Sequence, residues 1–287
     1  MSDSSGTLWI VATPIGTLDD FAPRAREVLS CATLILAEDT RRASRLLSHV
    51  GVSPGRRLRS YHEHNETARL PLALETLRDG RSVVLMSDAG TPVLSDPGFV
   101  LVRAARSEDI HVATVPGPSS FTAALAASGQ PPLPATLVGF LPARSGARRS
   151  RIAEFDGVPW TLVVLLSPHR LAAELGDLAR GLGPDRPATL LAEISKMHER
   201  AVSASLGELA ESGEAGNPRG EYVVVVGPSA RLDPTGPVEP ERIRLAYAVA
   251  VDAGLTRKEA LKAIAEEFGI SRRKVFDSLV NHEIIDD

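Results

Sequence analysis

What the chain lacks narrows it first. Cysteine occurs once, as Cys31, which excludes a disulfide framework and any zinc site built on cysteines, and suits a reducing compartment. A lone cysteine of this kind reads as a small core residue rather than as a nucleophile. No unbroken aliphatic run approaches the roughly 20 residues that a membrane-crossing helix needs. The polar start, Met1-Ser2-Asp3-Ser4-Ser5-Gly6, has neither the basic nor the apolar segment of a secretory leader. A soluble, cytoplasmic protein is expected, disordered over 1–6, in which the sequon-like Asn65-Glu66-Thr67 is a coincidence. A net charge of −4 over 287 residues excludes a bulk polycation, so a nucleic-acid partner has to be met by a local basic patch. No Gly-x-Gly-x-x-Gly follows a strand-like run, and no Walker-type Gly-x-x-x-x-Gly-Lys-Ser/Thr or Gly-x-Ser-x-Gly elbow occurs. Nicotinamide-dinucleotide enzymes, P-loop NTPases and α/β-hydrolases therefore fit poorly. There is no internal repeat.

What is present is a series of short apolar runs that empty into loops rich in glycine, proline, acids and hydroxyls. Val83–Met86 runs into Ser87-Asp88-Ala89-Gly90-Thr91-Pro92 and on through Ser95-Asp96-Pro97-Gly98. Leu8–Ala12 runs into Thr13-Pro14-Ile15-Gly16, Thr33–Ala37 into Glu38-Asp39-Thr40-Arg41, and His111–Val115 into Pro116-Gly117-Pro118-Ser119-Ser120. Apolar runs of this length bounded by turn residues read as buried strands. Open parallel sheets hold ligands at the carboxyl ends of their strands, so four such loops point to one crevice, an enzyme's.

Helical periodicity alternates with these runs. One helix is expected from Pro23, burying Ala25, Val28 and Leu29, another over Arg42–His49, and a third over Thr67–Arg78. Strand–helix alternation implies a parallel sheet covered on both faces. After the punctuation of Gln130-Pro131-Pro132-Leu133-Pro134 a second strand series follows: Thr136–Phe140, Thr161–Leu166, Ala188–Glu193 and Tyr222–Val226. The expected fold is α/β, with a mainly parallel N-terminal domain over 7–117 and a C-terminal α/β domain with a mixed sheet over 118–229. The helix Ser120–Ser128 opens the second domain. A linker over 230–240 and a helical tail over 241–287 complete the chain.

Several motifs occur together in one order: Ala12-Thr13-Pro14-Ile15-Gly16, Ala37-Glu38-Asp39-Thr40-Arg41, Ser60-Tyr61-His62-Glu63-His64-Asn65-Glu66, Ser87–Pro92, Ser95–Gly98, Val115–Ser119 and Ser167-Pro168-His169-Arg170. From about Leu8 to Val226 the chain resembles the ribosomal RNA small subunit methyltransferase I family, within the tetrapyrrole-methylase-like superfamily. The resemblance implies S-adenosylmethionine folded into the cleft between two α/β domains, usually in a homodimer. It also implies methyl transfer to the ribose 2′-hydroxyl of a cytidine in the decoding region of 16S rRNA, on the small ribosomal subunit. The chain departs from the family where Thr17 stands for Asn, Val93-Leu94 for Gly-Ile, Leu166 for Glu and Ala192 for a frequent Arg. These departures bear on individual contacts. Pro14-Ile15-Gly16 departs from the Gly-x-Gly-Pro-Gly opening of the porphyrin-precursor branch, which favours the RNA branch.

On that resemblance, Pro14, Ile15 and Gly16, Asp88, Ala89, Gly90 and Thr91, and Pro116, Gly117, Pro118 and Ser119 form the expected cofactor cradle, and Leu166 is a further expected cofactor-binding residue. Glycines there permit close backbone approach. A ribose hydroxyl is a weak acid, so a general base is expected; Glu38, Asp39, His62 and His64 are the candidates, with Glu63 beside them. Paired acids raise one pKa toward working pH. His62 and His64 have no third metal ligand in sequence, so no metal is expected; the plain alternative is that His62–Asn65 caps the next helix. Arg41 pairs either with a phosphate or with Glu38. Arg144, Arg148, Arg149 and Arg151 read as a loop that holds RNA phosphates, or as a solvated charged loop. In the tail, Thr256-Arg257-Lys258-Glu259 is a capping box opening a helix with Leu261, Ile264 and Phe268 on one face. A second helix from Arg272 carries Val275, Phe276, Leu279 and Val280. Ala265, Gly269 and Val275 fall at helix-turn-helix spacing, with Arg272, Arg273 and Lys274 at the start of the recognition helix; a structural hairpin reads equally well. Two rival readings are a tetrapyrrole-precursor methylase on the same fold and a non-catalytic nucleic-acid-binding regulator acting through the tail.

Overall fold

The computed structural model describes residues 6–212, 220–229, 240–252, 255–268 and 270–280. The expected disordered start (1–5), most of the linker (230–239) and the turn residue Gly269 lie outside the described residues.

The first sheet is built from β1 (Thr7–Val11), β2 (Leu34–Ala37), β3 (Leu58–Ser60), β4 (Val83–Met86) and β5 (His111–Val115). Its order is β3-β2-β4-β1-β5 and every pairing is parallel. Four of its strands are the four apolar runs. β3 is short and only half-buried, which is why its polar sequence did not read as a strand. Alternation places Leu8, Ile10, Leu34, Leu36, Val83 and Leu85 on one face and Val11, Ile35, Ala37, Val84 and Met86 on the other, as period-two side chains must. The first face is covered by α3 (Glu66–Arg78) and α4 (Phe99–Ser107), the second by α1 (Pro23–Cys31) and α2 (Thr40–His49). Pro23 stands in the first turn of α1, where its missing N–H costs nothing. Ala25 and Leu29 are buried and Val28 is half-buried. Cys31 corrects an expectation: it is exposed at the end of α1, not in the core.

The second sheet contains β6 (Ala135–Phe140), β7 (Thr161–Leu166), β8 (Pro187–Ala192), β9 (Arg200–Ser205) and β10 (Tyr222–Val226), ordered β6-β7-β10-β8-β9. β6 runs parallel to β7, and the remaining pairs are antiparallel. This is the mixed sheet expected. β9 is an additional strand at the edge, polar and partly exposed, so neither alternation nor an apolar run betrays it. Leu162, Val164, Leu190, Val224 and Val226 pack beneath α7 (Leu171–Leu182) and α8 (Leu206–Glu211). On the opposite face Val163, Leu191, Val223 and Val225 meet Ala124 of α5 (Ser120–Ser128). The arginine-rich segment is not a loop: it forms α6 (Ser145–Ala153).

Three tail helices, α9 (Pro240–Asp252), α10 (Arg257–Glu267) and α11 (Arg272–Val280), share a small core of Ile243, Ile264, Ala265, Val275 and Leu279. The Thr256–Glu259 capping box forms, the Glu259 carboxylate accepting from the Thr256 N–H at 3.0 Å. Leu261 and Phe268 flank Ile264 as expected, whereas Phe276 and Val280 are exposed.

Candidate active site

The carboxyl ends of β1, β2, β4 and β5 converge, and two loops are fastened together there. The Thr13 N–H donates to the Gly90 carbonyl at 2.9 Å and the Gly90 N–H donates back to the Thr13 carbonyl at 3.0 Å. The Ser87 hydroxyl donates to the same Gly90 carbonyl at 2.8 Å. Gly90 takes φ +89°, a backbone sign that favours glycine, although a Cβ there would meet Ile15 Cγ2 only at an ordinary 3.4 Å. The Thr91 hydroxyl ties this loop to the Pro118 carbonyl at 3.2 Å. Gly117 passes close over β1, its hypothetical Cβ 3.1 Å from that of Ala12.

Between these loops and the second sheet lies a cavity of about 340 Å³, within the usual range for small-molecule sites. Of the expected cradle, Ile15, Asp88, Ala89, Gly90, Thr91, Ser119 and Leu166 line it, as does the candidate base Glu38. Pro14, Gly16, Pro116, Gly117 and Pro118 do not line it. Gly16 instead sits against the second lobe, where a Cβ would fall 2.5 Å from the Ser195 carbonyl oxygen. Beside it the Thr17 hydroxyl donates to that carbonyl at 2.6 Å. Leu137, Leu165 and Val223 from the second sheet and Phe121 from α5 supply apolar surface.

One wall is acidic. Asp88 accepts from the Asp39 N–H at 2.9 Å and lies 3.6 Å from the Arg42 guanidinium. Glu38 and Asp96 complete the wall. Partial burial of the carboxyl in an otherwise exposed residue, and then the charge of Asp88, raise the Glu38 pKa from its ordinary value. Burial, followed by the charge of Glu38, lifts Asp96 to about 6 against an opposing hydrogen bond from Ser87. Asp96 was legible as part of a motif but not as a titrating group, because its neighbours reach it only through the fold.

The other candidate bases separate. Asp39 is the N-cap of α2: its carboxylate accepts from the Arg41 and Arg42 N–H groups and from the Arg41 side chain. The Arg41 hydrogen bond holds its pKa down at about 2, which makes it a weak base occupied elsewhere. Arg41 pairs with Asp39, not with Glu38. His62 is half-buried; Asn65 Nδ2 lies 3.0 Å from its Nε2, a contact that makes Nε2 the acceptor and places the ring proton on Nδ1. That Nδ1 is buried without a hydrogen-bond partner. Asn65 occupies the N-cap position of α3, but its side chain turns back to accept from the His62 N–H at 2.8 Å instead of capping. His64 is exposed, its ring 6.0 Å from that of His62, and Glu63 is exposed. Among the described residues no group of three or more His, Cys, Asp or Glu side chains is arranged to hold a metal ion.

The chain matches the family model for Tetrapyrrole (Corrin/Porphyrin) Methylases over residues 7–210. A relative from Xylella fastidiosa (strain Temecula1 / ATCC 700964), named Ribosomal RNA small subunit methyltransferase I, is 41% identical over 94% of this chain and 98% of its own. A protein of the same name from Pseudomonas aeruginosa is 38% identical over 98% of this chain and 99% of its own. The chain belongs to the ribosomal RNA small subunit methyltransferase I family. The fold is shared with uroporphyrin-III C-methyl transferase from Thermus thermophilus, solved with S-adenyl homocysteine, at TM-score 0.54 and 24% identity over 77% of this chain and 97% of that one.

Arg148 is 4% exposed; its Nε donates to Asp177 at 2.7 Å and its Nη1 to the Ala143 carbonyl at 3.0 Å. It is a core ion pair and is closed to phosphate. Arg151 is paired with Glu154. Arg144 and Arg149 are exposed. Arg272, Arg273 and Lys274 stand exposed at the start of α11, with the Lys274 N–H donating to the Ser271 hydroxyl at 3.2 Å.

Proposed function

We propose that the cavity binds S-adenosylmethionine and that the protein transfers its methyl group to the 2′-hydroxyl of a cytidine in the decoding region of 16S rRNA, on the small ribosomal subunit, as a cytoplasmic homodimer. The observation that carries the reading is the composition of the cavity. Its apolar side (Leu137, Leu165, Leu166, Val223) suits a purine ring, and its acidic wall (Glu38, Asp88, Asp96) suits a cation. The start of α5, at Ser119–Phe121 on the cavity, offers the unpaired N–H groups of a helix N-terminus to a carboxylate. A zwitterion that also carries a sulfonium matches all three. Membership of the family, at 41% identity along nearly the whole chain, favours rRNA over a tetrapyrrole as acceptor.

When bound, S-adenosylmethionine supplies an electrophilic methyl, so the chain's own task is placement and proton removal. Holding an acceptor oxygen in line is worth roughly 7–11 kcal/mol. Asp96 and Glu38, both raised toward working pH, are suited to accept the hydroxyl proton, a contribution of about 10²–10⁴-fold. Leu94 and Phe140, one from each lobe, are 50% and 61% exposed on the cavity lip and offer apolar surface to the acceptor's base. The test compares label transfer to small subunits by the wild type, Glu38→Gln and Asp96→Asn. Turnover falls in at least one variant while S-adenosylhomocysteine still binds; full turnover in both refutes the assignment of the base.

A further inference from the structure

α2 has three flanks. Ala43 and Leu47 are buried beneath it, and Arg42 turns into the cavity. The third flank carries Arg41, Ser44, Arg45 and Ser48, whose spacing aligns them in one stripe. With Thr40, and with Pro54, Gly55 and Leu58 from the segment leading into β3, this stripe lines an open groove of about 650 Å³. No carboxylate is among the residues lining it.

The cations here differ in availability. The Arg57 Nη1 is consumed at the end of α1, donating to the Leu29, Ser30 and Ala32 carbonyls at 3.1, 3.1 and 2.6 Å. Arg59 donates to the Leu58 carbonyl at 3.0 Å and to that of Arg56 at 2.5 Å. Arg45 and Arg56 are exposed, and among the described residues their side chains have no hydrogen-bond or ion-pair partner. The Arg41 side chain is 88% exposed and is aimed by its contact with Asp39. In the first turn of α2, Arg41 lines the groove and the adjacent Arg42 lines the cavity.

We infer that this groove is the track for the phosphates of a single-stranded RNA segment that delivers the acceptor nucleotide to the cavity. The inference rests on the RNA reading above and gives it a surface. Guanidinium groups bind phosphate oxygens in forked geometry, and the hydroxyls of Thr40, Ser44 and Ser48 add further donors. The alternation of Arg and Ser along one stripe suits a backbone that repeats its charge at short intervals. A track beginning at the cavity rim places the ribose nearest the last phosphate beside Glu38 and Asp96. The segment Arg144–Arg151, by contrast, loses Arg148 to the core.

The experiment measures binding of unmethylated small ribosomal subunits to the full-length protein across a salt series, for the wild type, Arg41→Ala/Arg45→Ala, which removes both arginines lining the groove, and Arg149→Ala. Each lost phosphate contact on a single strand lowers the slope of log K against log salt by about 0.7. The double variant is therefore expected to lose about 1.4 from the slope and to raise KM for subunits, with affinity for S-adenosylhomocysteine and molecular mass in solution unchanged. An unaltered slope in the double variant, with the wild type active, overturns the track. A changed mass instead makes the groove a contact between copies and also overturns it. A wild type that labels no RNA refutes the RNA reading itself, a result distinct from both.

Discussion

Among individual side chains, the outcome at the cavity wall turns on three neighbouring carboxylates, of which Asp88 and Asp96 are half-buried and Glu38 is exposed. Asp96, lifted to about 6 by burial and by Glu38, binds a proton more tightly in the folded state than in the unfolded chain. Its stabilising contribution is therefore complete below its ordinary value of 3.8 and is lost as pH rises through about 6. Asp96→Asn is expected to raise the melting temperature of the ligand-free protein at pH 7–8, with the difference from wild type shrinking as pH falls toward 4. The same group predicts that turnover of the wild type falls about tenfold per pH unit below roughly 6. A flat profile from pH 5 to 8 removes Asp96 as the base. Gly90→Ala forces a Cβ into φ +89° beside Ile15 at a cost of about 1–2 kcal/mol, and is expected to weaken S-adenosylhomocysteine binding measured by calorimetry. Glycines, prolines and acids in these loops were legible from the sequence because their restrictions are local. The titration of Asp96 was not, since burial and the neighbouring Glu38 and Asp88 come from other strand ends.

Among secondary elements, α6 shows how periodicity overrules a charge count. Four arginines within Arg144–Arg151 look like a phosphate patch in one dimension. Wound into a helix, Arg148 turns inward to Asp177, 29 residues along the chain, while Arg149 stays outside. Arg148→Ala is accordingly expected to destabilise the fold by on the order of 3 kcal/mol in urea unfolding and to leave the salt dependence of RNA binding unmoved. A stable variant with a flattened slope would reverse that assignment. β2 and β4 were legible because strands buried on both faces read as continuous apolar runs. β3 and β9 were not, being edge strands with polar sequence. In the tail, Val275 and Leu279 are buried while the Phe276 ring is partly exposed beneath the Arg257 guanidinium, so the hairpin core follows helical spacing more strictly than residue type.

For the whole molecule, two sheets of different connectivity enclose one cavity, and each supplies what the other lacks. The parallel sheet brings the polar loops; the mixed sheet brings the apolar side and the Phe140 lip. The lobes are joined on one side by Thr17 and Asp20, which meet Ser195 through side-chain hydrogen bonds of 2.6 Å each. Phe140→Ala is expected to raise KM for subunits with little change in S-adenosylhomocysteine affinity, because the ring stands at the mouth rather than the floor; equal losses in both would place it in the cofactor pocket. The two-lobed plan was readable in the order of strand runs, and the pairing across the cleft was not, since Thr17 and Ser195 stand 178 residues apart. Methyl transfer to an rRNA ribose is tested most directly by one assay. The protein is incubated with methyl-labelled S-adenosylmethionine and small ribosomal subunits lacking the modification, the RNA is digested, and labelled nucleosides are identified by mass spectrometry. Label in 2′-O-methylcytidine is the predicted result; label on a base, or none in RNA while S-adenosylmethionine binds, contradicts it.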